Sequence, residues 1–159
     1  MGDYSFKSSG VKSDDPRLVR EVLSPPKGIK TPLELGTGRS GIFQMHFNDA
    51  SQISDNLKNL ILTNWGERLG NYYYGANLRS LTTEVTALED FDAEAMMRIQ
   101  SAVKNFMPYV ELEGFNSTID KSVSPTGNGT SVIGITVRYN IPQLRITGRA
   151  ISAHLYCIG

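Results

Sequence analysis

The chain has 159 residues, with 16 lysines and arginines balanced by 16 aspartates and glutamates and a single cysteine, Cys157. A chain of this length buries roughly two thirds of its unfolded surface without a metal or disulfide staple, so one domain-sized core is expected. The level charge excludes the broad basic field that draws proteins to nucleic acid or anionic membranes, and no run reaches the roughly 18 to 20 apolar residues of a membrane helix. Met1 to Gly10 lacks the basic flank and apolar run of a secretory leader. A soluble cytosolic chain is therefore expected, and Asn116-Ser117-Thr118 reads as a chance glycosylation match.

Four of the seven prolines, Pro16, Pro25, Pro26 and Pro32, fall at the start of the chain, where apolar residues follow neither helical nor strand period. Each proline fixes its own φ and pushes its predecessor toward extended geometry. Residues 1–35 therefore read as an extended arm, either a plain disordered tail or a segment that Tyr4, Phe6, Leu18, Val19, Val22 and Leu23 order upon a partner. Residues 36–159 form the domain proper. In it, Phe43, Met45 and Phe47 alternate with Gln44 and His46, which predicts a short strand. Ile53, Leu57, Leu60 and Ile61 then share one helical face, predicting a helix from Ser54 to Trp65 capped by Ser51 or Ser54 and ended by Gly66. Residues 76–84 predict a second, short helix.

A longer helix is predicted with Asp92 as its cap, Phe91 stapled on Met96, and Met96, Ile99, Val103 and Phe106 as the buried stripe. Glu94 and Arg98 are spaced as an ion pair on its exposed side, and Pro108 stops it. From Val110 onward the period changes to two. One strand carries a bulge at Gly114 and runs to Val123, residues 124–129 turn, and Ile133, Ile135, Val137 and Tyr139 line the next strand. A last strand from Ile146 to Ile158 completes a three-strand meander. The expected fold class is α+β: two or three helices on one face of a small, mostly antiparallel sheet. Residues 84–120 carry eight acids against Arg98 and Lys104, while Lys121, Arg138, Arg145 and Arg149 in residues 121–159 face no acid at all. Either these are two solvated faces, or the polarity orients a protein partner.

Catalytic patterns are sparse. His46 and His154 fall inside predicted strands, expected half-buried, without a nucleophile elbow nearby, and one cysteine with two distant histidines makes no zinc pattern. Gly36-Thr37-Gly38-Arg39-Ser40-Gly41 lacks the lysine of a phosphate loop. Neither metal nor cofactor is expected. A glycoside hydrolase needs only two carboxylates, and Glu67 and Glu111 are the ones to test, yet Arg68 beside Glu67 suggests paired charges at a turn rather than a protonated acid.

The segment from Leu62 to Leu78 resembles the signature of the contractile-tail baseplate wedge proteins, the GPW and gene-product-twenty-five-like family, also found in type VI secretion baseplates and contractile bacteriocins. That signature is Thr-x-x-Gly-Glu-Arg, three variable residues, proline, one residue, an aromatic and glycine. Thr63, Gly66, Glu67, Arg68, Tyr74, Gly75 and Leu78 match in register, while Tyr72 stands where the family has proline. A second family signature, Glu-Pro-Arg, falls on Met107-Pro108-Tyr109, where the proline is kept and both charges are lost. In the family it is associated with docking to wedge subunits, so the ionic part of that contact is absent here and Phe106, Met107 and Tyr109 would replace it with apolar contacts.

The resemblance spans about Ile53 to Ile158 and implies a non-enzymatic structural part of a phage tail baseplate. Its expected place is the virion, assembled in the host cytoplasm, in six copies around the tail tube. Its implied partners are the tube protein, the sheath protein and other wedge subunits, and its role is to initiate the sheath. The sheath-binding element is expected to be the last strand, with Arg149, Ile151, Ala153, Leu155 and Cys157 on one face and its edge left bare for strand addition. A peptidoglycan-degrading, lysozyme-like enzyme is the alternative, and a small regulatory adaptor sharing the fold is a third reading.

Overall fold

The computed structural model describes residues 25–36, 42–84, 88–122 and 130–158. The anchors expected in residues 1–24 and the turn at 124–129 lie outside these residues. Within them the chain runs β1 (Gly28–Ile29), β2 (Met45–His46), α1 (Asp49–Leu62), α2 (Leu78–Glu84), α3 (Leu88–Phe106), β3 (Glu111–Ser122), β4 (Thr130–Ile141) and β5 (Ile146–Ile158). β3-β4-β5 make the antiparallel meander that the alternating residues foretold, and β1, inside the stretch expected to be an unpacked arm, pairs with β2 in an antiparallel ribbon. The fold is α+β.

Asn48 caps α1 by accepting a hydrogen bond from the Ala50 amide at 2.9 Å, so the helix starts earlier than Ser54 and neither Ser51 nor Ser54 is its cap. Ser54 instead lies inside α1, donating to the Ala50 carbonyl at 2.8 Å with its hydroxyl 2.6 Å from that of Tyr139. The helix ends at Leu62, where Thr63 turns extended, and not at Gly66. In α3, Asp92 lies within the helix and accepts a hydrogen bond from the Ser117 hydroxyl on β3, so it is a tether to the sheet rather than a cap. The buried stripe is Phe91, Ala95, Ile99, Ala102 and Val103, with Met96 exposed. Phe91 therefore packs into the core instead of stapling onto Met96. The expected Glu94–Arg98 pair forms at 3.0 Å.

Leu57, Leu60 and Ile61 of α1, Leu78 and Leu81 of α2 and the α3 stripe meet Ile133, Ile135, Val137 and Tyr139 of β4 in one cluster. Burial of this apolar area is the main stabilising term. The β3–β4 register shifts between Leu112 and Gly114, which is the bulge expected from the glycine. β5 and β3 are the two edges of the meander. Ala153 and Leu155 of β5 face the core, whereas His154, expected half-buried, is exposed on the opposite face. His46 is half-buried as expected. No helix among the described residues is long and apolar enough to cross a membrane.

Candidate functional site

The loop between α1 and α2 is held by its own hydrogen bonds. Thr63 donates its hydroxyl to the Asn59 carbonyl at 2.6 Å, closing the last turn of α1. The Gly66 amide donates to the Tyr72 carbonyl at 2.8 Å, which pulls the loop into a closed bend, and Gly66 makes the turn with φ of +83°. Glu67 accepts from both the backbone amide and the side-chain amide of Asn64, each at 2.8 Å. The Asn64 side-chain amide and backbone amide hold the Glu67 carboxyl below the usual carboxylate range. Gly75, at φ of +110°, lies so close to α1 that a Cβ there would sit 2.1 Å from the Thr63 carbonyl oxygen. No other residue type fits. The Trp65 indole donates to the Gly75 carbonyl at 3.2 Å and closes the loop from outside.

The two signature segments, far apart in sequence, meet in space. The Arg68 guanidinium lies 4.4 Å from the centre of the Tyr74 ring, and Tyr74 in turn packs 4.9 Å from Phe106 at the end of α3. Tyr109 is half-buried against the same cluster, and burial, with Tyr74 beside it, raises its phenol above the ordinary value. Met107 is buried in the core, so in Met107-Pro108-Tyr109 only Pro108 and part of Tyr109 reach the surface.

The loop also presents exposed aromatic and apolar residues, of which sequence reasoning noted Tyr72 only as a departure from the family's proline. Trp65, Leu69, Tyr72 and Tyr73 are exposed, with Tyr73 edge-on to both Trp65 and Tyr72. Trp65 and Tyr73 form one wall of a 480 Å³ groove whose other wall is Met97, Arg98, Ser101 and Asn105 of α3. The run Tyr72-Tyr73-Tyr74 between glycines was the available signal, because three successive aromatic residues in a tight loop cannot all point inward. Arg98 is held in that wall by Glu94, the Asn77 carbonyl and the Ser80 hydroxyl.

No family model matches the chain, and no curated protein matches it. Solved structures similar to the chain include the following two. One is a chain of the anti-feeding prophage baseplate, solved by cryo-electron microscopy with six-fold symmetry, at 13% identity and a TM-score of 0.46 over 80% of this chain and 81% of that one. The other is a tail-lysozyme candidate from Geobacter sulfurreducens, at 14% identity and a TM-score of 0.42 over 70% of this chain and 91% of that one. Both likenesses are loose and decide neither fold nor function.

The proposed sheath strand lies elsewhere, on β5. Arg149 is exposed, Ile151 is half-buried, and Ala153 and Leu155 are buried against the helices. The Cys157 side chain lies outside the described residues, although its backbone pairs with Ser131. The outer edge of β5 has no hydrogen-bonded strand among the described residues. β3, the opposite edge, is broken by its bulge and carries Glu111 and Glu113, both of which blunt an edge. Among the described residues no group of three histidine, cysteine or acidic side chains could hold a metal ion.

Proposed function

We propose that this chain is a structural, non-enzymatic part of a contractile tail baseplate. It docks on wedge subunits through the Thr63–Gly75 loop and the end of α3, and seeds the sheath by strand addition at β5. The observation that carries this reading is the convergence of the two signature segments. Arg68, Tyr74 and Phe106 form one stack, with Tyr109 half-buried against the same core, beneath a hydrogen-bonded loop whose Trp65, Tyr72 and Tyr73 are exposed. Trp, Tyr, Met and Arg are the residue types enriched in the buried centres of protein interfaces, and a pre-ordered loop binds with less entropic loss. At β5, the pairing with β4 shifts register near Gly148, and the main-chain groups of the regular stretch from Arg149 to Ile158 supply the chemistry of strand addition.

The carboxylates favour the structural role. A general acid for glycoside cleavage needs a raised carboxyl pKa, whereas that of Glu67 is lowered and its oxygens are already occupied by Asn64. Glu94 in the groove is paired with Arg98. Two measurements test the reading together. Mass spectrometry of purified contractile tails is expected to find the chain in the baseplate fraction, with six copies per tail. Purified cell wall incubated with the wild type, Glu67→Gln or Glu111→Gln is expected to release no reducing sugar in any case. Release by the wild type that Glu67→Gln abolishes would make the protein an enzyme.

A further inference from the structure

We infer that the β1–β2 ribbon is a strap that opens from α1 as one unit while the helices and the meander stay folded, and that the Asp55 carboxylate is its latch. The inference is independent of the baseplate reading. The contacts that reach Asp55 from the strap converge on one oxygen. The Thr31 amide and hydroxyl donate to Oδ2 at 2.9 Å and 3.2 Å, and His46 Nε2 lies 2.7 Å from the same atom. Thr31 follows β1 and His46 ends β2, so a single side chain of α1 holds both strands. Asn59, one turn further along α1, donates to the Thr31 hydroxyl at 3.1 Å and completes the cluster. The Lys27–Asp49 pair at 3.4 Å is exposed on both sides, and such pairs contribute little.

Apolar packing does not take over this duty. No residue of 25–36 or 42–47 is buried, and none of them belongs to the core cluster or packs against it among the described residues. Ile29, Leu33, Leu35, Ile42 and Phe47 are exposed. Inside the strap the Lys30 amide donates to the Gln44 carbonyl at 2.9 Å, and the Gln44 amide to the Glu34 carbonyl at 3.0 Å. A two-stranded ribbon is marginal on its own, so these bonds are lost once the latch lets go. Regions held by few buried apolar contacts open locally, at a free energy well below that of global unfolding. The strap meets that condition, whereas β4 lies at the centre of the meander and of the core.

The test is native-state hydrogen exchange of the full chain, resolved to single amides, in low concentrations of urea. Relative to their intrinsic rates, the Lys30, Thr31 and Gln44 amides are expected to exchange together, at least about 100-fold faster than those of β4 and with little dependence on urea. Equal protection and an equal urea slope in the two sets would mean that the strap opens only with the whole domain, which overturns the inference. Two variants separate the openings. Asp55→Asn weakens the latch and is expected to speed the strap amides about 10–100-fold, and those of β4 by the same factor, because global unfolding also breaks the latch. Val137→Ala, in the buried face of β4, leaves the latch intact. It is expected to speed the β4 amides about 10-fold and the strap amides less than about 2-fold. Strap amides left unchanged by Asp55→Asn, or speeded by Val137→Ala as much as those of β4, overturn the inference.

Discussion

Replacing Gly75 by alanine tests whether the loop is the rigid platform that docking requires. The new Cβ would meet the Thr63 carbonyl oxygen at 2.1 Å, and φ of +110° is strained for any side chain. The backbone conformation alone costs about 1–3 kcal/mol. Relieving the overlap requires the loop to move away from α1, which loses the Trp65 to Gly75 and Asn77 to Thr63 hydrogen bonds, at about 1 kcal/mol each. The sum is about 3–5 kcal/mol, a large part of the stability of an ordinary domain, and corresponds to a fall in melting temperature of about 10 °C. Trp65 is the only tryptophan and sits on this loop, so its fluorescence reports the same event as the unfolding curve. Urea denaturation followed by that emission is expected to show a lower midpoint and a red-shifted native spectrum. A Gly75→Ala protein with an unchanged midpoint and an unchanged spectrum would refute the claim that the close approach to Thr63 sets the loop.

Three further outcomes follow from individual contacts. Ser54→Ala removes the partner of the fully buried Tyr139 hydroxyl and is expected to lower stability by about 1–3 kcal/mol, while Ser54→Thr restores part of it, as measured by denaturant titration. Burial works to raise the Asp55 carboxyl, but hydrogen bonds from Thr31 and His46 outweigh it and hold it below its ordinary value of 3.8. Its contribution is therefore present above pH 3.8 and lost as pH falls through the lower folded value. Asp55→Asn is expected to be destabilised by about 1.5–3 kcal/mol at neutral pH and to converge with the wild type in acid, and parallel pH–stability curves would contradict this. Arg68→Ala is expected to cost about 0.5–1 kcal/mol through the lost contact with Tyr74, with Arg68→Lys recovering part of it in thermal melts.

The meander was legible because period two survives along Ile133, Ile135, Val137 and Tyr139, and tertiary context changes nothing about which of these faces inward. Helix boundaries were less legible, since Asn48, Ser51 and Ser54 can all cap and only the backbone at Asn48 is extended. In α3 the expected stripe held at Ile99, Val103 and Phe106 and failed at Met96, because the inner face there uses Ala95 and Ala102, which a search for large apolar residues passes over. The Thr63–Gly75 signature was visible as a motif, but its meeting with Phe106 and Tyr109 depends on how α1 and α3 pack. The network of Thr31, His46 and Asp55 joins residues up to 24 positions apart and left no local trace.

The proposed seeding of the sheath at β5 is tested most directly by sheath assembly on baseplates carrying a chain that ends at Leu155. This truncation keeps the buried Leu155 and removes Tyr156 to Gly159, shortening the edge offered to the incoming strand. Electron micrographs are expected to show complete baseplates and tubes with the shortened chain incorporated and the sheath missing or detached. Sheaths of normal length and frequency on those baseplates would contradict strand addition at β5.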